Sequence, residues 1–143
     1  MPFTETFRIP RHRRHVPSTR QRVREALADW GVTDDLADGV TLLANELVTN
    51  AVTHCRVSYA QVGVTLIHHG TALVLEVSDP DRDRLPRLHH SGPDEEGGRG
   101  LALVEALADA WGCRQERYAK CVWARFTLAG TATPEGAHAP VGS

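Results

Sequence analysis

The stretch from Thr33 to His54 constrains the fold more than any other. Leu36, Val40, Leu43, Leu47 and Ala51 recur at helical spacing, while Glu46, Thr49, Asn50 and Thr53 form a polar stripe on another face. Thr33 or Asp34 is placed to cap this helix. Its apolar face needs a covering layer, because most helical stability in a protein comes from packing that face. The next segment supplies one. Ala60, Val62, Val64 and Leu66 alternate with Gln61, Gly63, Thr65 and Ile67, and beyond His68-His69-Gly70-Thr71 the residues Leu73, Leu75 and Val77 repeat at period two. That pattern predicts a hairpin. A hairpin alone is marginal in water, so one face of its sheet must lie under the helices.

The remaining elements extend this two-layer plan. Phe3, Phe7 and Ile9 permit a short edge strand stopped by Pro10. Ser18 reads as the cap of a helix carrying Val23, Ala26, Leu27 and Trp30, with Gly31 at its end. Gly97-Gly98-Arg99-Gly100 leads into Leu101, Leu103, Val104, Leu107 and Ala108, a helix expected to finish near Trp111-Gly112. Strands follow near Gly112 to Arg117 and Lys120 to Leu128, joined by a tight turn at Tyr118-Ala119, with Val122, Ala124, Phe126 and Leu128 facing inward. Arg82 to Glu96 has no hydrophobic period and carries Pro86, Gly92 and Pro93, so it reads as a long loop of the kind that serves as a lid. Beyond Ala129 there is little to bury, and a disordered tail is expected. The organisation is thus one domain over residues 1–128 and a tail over 129–143.

A length of 143 residues suits a single domain with a real core. The formal net charge of −2 provides no general attraction to nucleic acid, and direct binding of nucleic acid is not expected. Arg8, Arg11, Arg13, Arg14, Arg20, Arg22 and Arg24, with His12 and His15, form the one basic stretch. It has no interleaved aromatics to stack bases, which favours a solvated strand and helix face over an RNA or DNA site. No apolar run approaches a membrane span, and Glu5 and Arg8 stand where a signal peptide would need an apolar core, so a cytoplasmic location is expected. Cys55, Cys113 and Cys121 are odd in number and lack C-x-x-C spacing, which predicts reduced thiols rather than a disulfide frame or zinc site.

Three positions carry candidate chemistry. Glu46 and Asn50, four apart, are neighbours on the helix surface and place a carboxylate base beside a neutral oxygen ligand. Such a pair suits Mg²⁺, which takes few protein ligands and completes its octahedron with water and phosphate oxygens. The competing reading is a solvated helix face. Asp79 continues the parity of Leu73, Leu75 and Val77, so a strand reaching that far turns its carboxylate into the helix-covered layer. Unpaired, it would be costly there, and a ligand amine such as that of adenine would relieve the cost. If the strand ends earlier, Asp79-Pro80-Asp81 is a solvated turn. The glycines at 97–100 precede a helix, where backbone N–H groups can approach phosphate oxygens, though the same residues would serve as a hinge.

Glu46-Leu47-Val48-Thr49-Asn50-Ala51-Val52-Thr53-His54 resembles the N box of the ATP-binding fold shared by gyrase, Hsp90, histidine kinases and MutL. More narrowly, the chain resembles the small anti-sigma factors and serine kinases of sporulation and stress response, in their actinobacterial form. The likeness runs from about Phe3 to Leu128. It implies an α+β fold of the Bergerat type: a two-layer sandwich whose mixed, mostly antiparallel sheet is covered on one face by about three helices. By that likeness Glu46 is the base, Asn50 holds Mg²⁺, Asp79 binds adenine, and Gly98, Arg99, Gly100 and Leu101 form the glycine box that closes over the phosphates of ATP. Trp111-Gly112 and Lys120-Cys121-Val122-Trp123 resemble the family's closing hairpin. One departure stands out, since the family's Asp-x-Gly-x-Gly is here Asp79-Pro80-Asp81-Arg82-Asp83. The resemblance implies a sigma factor or a STAS-domain antagonist as partner, and it leaves room for a homodimer. A non-catalytic interaction module of the same fold is the alternative.

Overall fold

The computed structural model describes residues 2–55, 61–81 and 104–128, with only the backbone for Asp34. Strand β1 (Phe3–Pro10) leads through a 3-10 turn (Arg13–His15) into helix α1 (Val16–Asp29) and helix α2 (Asp34–His54). Strands β2 (Gln61–His69), β3 (Ala72–Asp79), β4 (Ala110–Gln115) and β5 (Lys120–Thr127) complete a five-stranded sheet in the order β1-β2-β3-β5-β4. Every pairing between these strands is antiparallel, where the sequence had left room for a mixed sheet.

The core lies on one face. Phe7, Ile9, Val62, Val64, Leu66, Leu73, Leu75, Val77, Val122, Ala124 and Phe126 share one side of the sheet by the period-two rule. They form a single buried cluster with Val23 and Leu27 of α1, Val40, Leu43, Leu47 and Val48 of α2, and Val104. Residues 104–107 are helical, and Leu107 lies 3.4 Å from the position a Cβ on Gly39 would occupy, so this turn rests against α2. The result is a two-layer α+β sandwich.

Several boundaries differ from expectation, each for a local reason. Helix α1 starts at Val16 instead of after Ser18, because the 3-10 turn runs straight into it and Pro17 lacks only an N–H that the first helical turn leaves unused. Ser18 Oγ instead donates back to the His15 carbonyl at 2.7 Å. The helix ends as its glycine predicts: Val32 N–H donates to the Leu27 carbonyl at 2.8 Å and Gly31 N–H to the Ala28 carbonyl at 3.1 Å, with Gly31 at φ +78°. His68 and His69 belong to β2, leaving Gly70-Thr71 as the whole hairpin connection, with Gly70 at φ +61°. Trp111-Gly112 lies inside β4 and does not end a helix. Asp109 N–H has already bonded to the Arg125 carbonyl at 2.8 Å, and the Trp123 ring covers Gly112 so closely that a Cβ there would come within 2.9 Å of it. The β4–β5 connection is the longer 116–119 loop, closed by Glu116 N–H to the Ala119 carbonyl at 2.7 Å.

Most of the basic stretch is exposed, while Arg11, His15 and Arg20 are half-buried. Arg22 pairs with Glu5 at 3.1 Å and lays its guanidinium 4.4 Å from the centre of the Phe7 ring. The 129–143 tail and the 82–96 loop lie outside the described residues. Among those described, no helix is long and apolar enough to cross a membrane.

Candidate functional site

Helix α2 packs over β2 and β3, the strand that ends at Asp79. Arg20 of α1 donates to Asn45 Oδ1 at 2.8 Å, and Thr49 Oγ1 donates to the Asn45 carbonyl at 2.7 Å. Those contacts occupy Asn45 and Thr49 with structure. Glu46 and Asn50, both half-buried, take no hydrogen bond or ion pair among the described residues. Their polar atoms stay available to a ligand.

Strand β3 does reach Asp79, and the carboxylate is buried at 5% exposure. The alternative of a solvated turn is thereby set aside. Asp79 Oδ1 accepts the Asp81 backbone N–H at 2.8 Å, an Asx-type turn in which Pro80 occupies the position whose N–H is not needed. Lys120 Nζ stands 3.7 Å from Asp79 Oδ2, an ion pair longer than a hydrogen bond. Burial pushes the Asp79 carboxyl above its ordinary range, and Lys120 and the Asp81 N–H pull it back down, while the Asp81 charge adds to the rise.

Lys120 was not among the expected site residues. The signal for it was present: Lys120, Val122, Ala124 and Phe126 have one parity, and register sets Lys120 directly opposite Asp79. Cys113 of β4, which pairs with Val122, is half-buried beside this ion pair. Burial first, then the Asp79 charge, raises its thiol pKa against the lowering effect of Lys120 and Arg114. Cys121 is pushed up to about 11, mainly by burial. All three cysteines are free, as expected, and these two are protonated at neutral pH.

Gly98, Arg99, Gly100 and Leu101 lie outside the described residues, as does the proposed lid. Immediately downstream, Val104 is fully buried in the core, so the chain leaving the glycine box is anchored to the helical layer. Among the described residues no three His, Cys, Asp or Glu side chains converge as a ready-made metal cluster. The donor set present, one amide oxygen on a half-buried helix face, fits a magnesium ion that arrives with phosphate and keeps its waters.

An open antiparallel sheet with a helical layer on one face, and a buried carboxylate at the end of a strand under α2, is consistent with an ATPase-type α+β sandwich. The chain belongs to the family of histidine kinase-like ATPase domains, whose model matches residues 9–126. No curated protein matches it. Membership makes ATP the expected ligand of this site.

Proposed function

We propose that the protein is a cytoplasmic ATP-binding regulator that acts as an anti-sigma factor, as a serine/threonine kinase on a STAS-domain antagonist, or as both. The observation that carries this reading is the half-buried Glu46 and Asn50 of α2, without a hydrogen bond or ion pair among the described residues, on a helix packed over the strand that ends in the buried carboxylate of Asp79. When bound, ATP supplies the phosphoryl group and Mg²⁺ offsets its charge. Asn50 offers its amide oxygen to the metal. Asp79 accepts a hydrogen bond from the exocyclic amine of adenine. Glu46 takes the proton of the attacking serine hydroxyl as that oxygen bonds to the γ-phosphorus and ADP departs.

Glu46→Gln keeps size and removes the base, so nucleotide still binds while transfer falls by about 10²–10⁴-fold. Asn50→Ala loses magnesium-dependent binding and transfer together. The measurement is calorimetry with MgATP, followed by radiolabel transfer to partners recovered by pull-down. Label on a STAS-type partner that disappears in Glu46→Gln supports the kinase. A sigma factor retained by wild type and both variants, with no label on any partner, leaves the non-catalytic module. That second reading draws on one feature, the replacement of the family's glycines by Asp81 and Asp83 after a carboxylate already paired with Lys120.

A further inference from the structure

The inward residues of β3 and β5 meet in pairs: Leu73 with Phe126, Leu75 with Ala124, Val77 with Val122, and then Asp79 with Lys120. Only the last pair is charged, and both members are nearly as buried as the apolar ones, at 5% and 10% side-chain exposure. A buried ion pair contributes little net stability compared with apolar residues in the same place. Its geometry suits another purpose. Oδ1 is held by the Asp81 N–H at 2.8 Å, which orients the carboxylate plane, while 3.7 Å between Oδ2 and Nζ leaves Oδ2 without a hydrogen bond from Lys120.

We propose that Lys120 is the positioning residue of base recognition: its buried ammonium keeps Asp79 charged and oriented so that Oδ2 accepts the exocyclic amine of the nucleotide base. This rests on the reading above that adenine nucleotide binds at Asp79. A carboxylate gives a charge-assisted hydrogen bond, roughly twice as strong as one to a neutral acid. The buried site alone favours the neutral acid, since desolvation is the largest influence on Asp79. Among the described residues the other groups at this carboxylate are Asp81, whose charge works against ionisation, and Cys113 of β4, a protonated thiol. Helix α2, packed on β3, contributes no charge to Asp79 among the described residues. Among the described residues, Lys120 is therefore the cation that holds the charge in place.

The test is MgADP binding by calorimetry from pH 5.5 to 8.5 for wild type, Lys120→Met and Lys120→Arg. Asp79 is titrated in the nucleotide-free protein through its carboxyl carbon NMR shift. Wild type should bind with little pH dependence and show Asp79 ionised throughout. Lys120→Met should bind about tenfold more weakly at the acid end, recover as pH rises through a raised Asp79 midpoint, and be rescued by Lys120→Arg. A purely structural role for Lys120 would lower affinity equally at every pH. That result, or unchanged binding in Lys120→Met, overturns the proposal while the nucleotide-site reading stands. Wild type that binds no adenine nucleotide overturns both. If Lys120→Met does not fold, the wild-type titration decides: an Asp79 midpoint above pH 7 with Lys120 in place refutes the proposed role.

Discussion

The two ends of the β3–β5 ladder have the same backbone pairing, the same inward direction and similar burial, yet opposite chemistry. At one end Leu73 faces Phe126, both within 2% of complete burial, and nothing polar needs a partner. At the other, Asp79 faces Lys120, each ion has been removed from water, and the attraction acts across 3.7 Å without a direct hydrogen bond. Apolar burial at the first end stabilises the fold at about 25 cal/mol per Å². Charge burial at the second end costs desolvation that the pair only partly offsets. The comparison teaches that the two ends serve different purposes: the end that carries Asp79 and Lys120 is the one that gives up stability.

Three variants can break or sharpen this contrast. The largest effect is expected from Phe126→Ala, which removes a fully buried ring and should destabilise by about 3–5 kcal/mol in denaturant unfolding. A loss under 1 kcal/mol would mean the apolar end is not the anchor described. Next, the double variant Asp79→Leu with Lys120→Met replaces ions by apolar groups of similar size and should be neutral or up to about 1–4 kcal/mol more stable, while base recognition is lost. Marked destabilisation would show instead that the ion pair holds the fold.

The double variant should also change the pH dependence. Folding raises the Asp79 value above its ordinary 3.8, so between those two values the folded state binds more protons than the unfolded state. This contribution to stability is therefore lost as pH rises through that window, and the slope should vanish in the double variant. The smallest effect belongs to Arg22→Ala. Its pair with Glu5 is exposed at 46% and 37%, and about 1 kcal/mol or less is expected, reduced further by salt.

How much of this was legible in the sequence depends on the range of the interaction involved. The parity of Leu73, Leu75, Val77 and Asp79 correctly predicted an inward carboxylate, and the spacing of Glu46 and Asn50 placed them on one helix face, because both follow from backbone periods of two and 3.6. The Gly31 stop was equally readable, since the left-handed backbone it adopts is a local preference of glycine. The start of α1 was misread at Ser18 because capping preference is weak beside a preceding turn that already continues into the helix.

By itself the sequence determined α2, the β2–β3 hairpin and the inward faces of β3 and β5, since apolar spacing and turn chemistry act within a few residues. Only the tertiary structure decided that β5 lies between β3 and β4 and that its register brings Lys120 onto Asp79. Strand order and register depend on packing the whole inner face at once, and a one-residue slip would have turned Lys120 to the other side of the sheet.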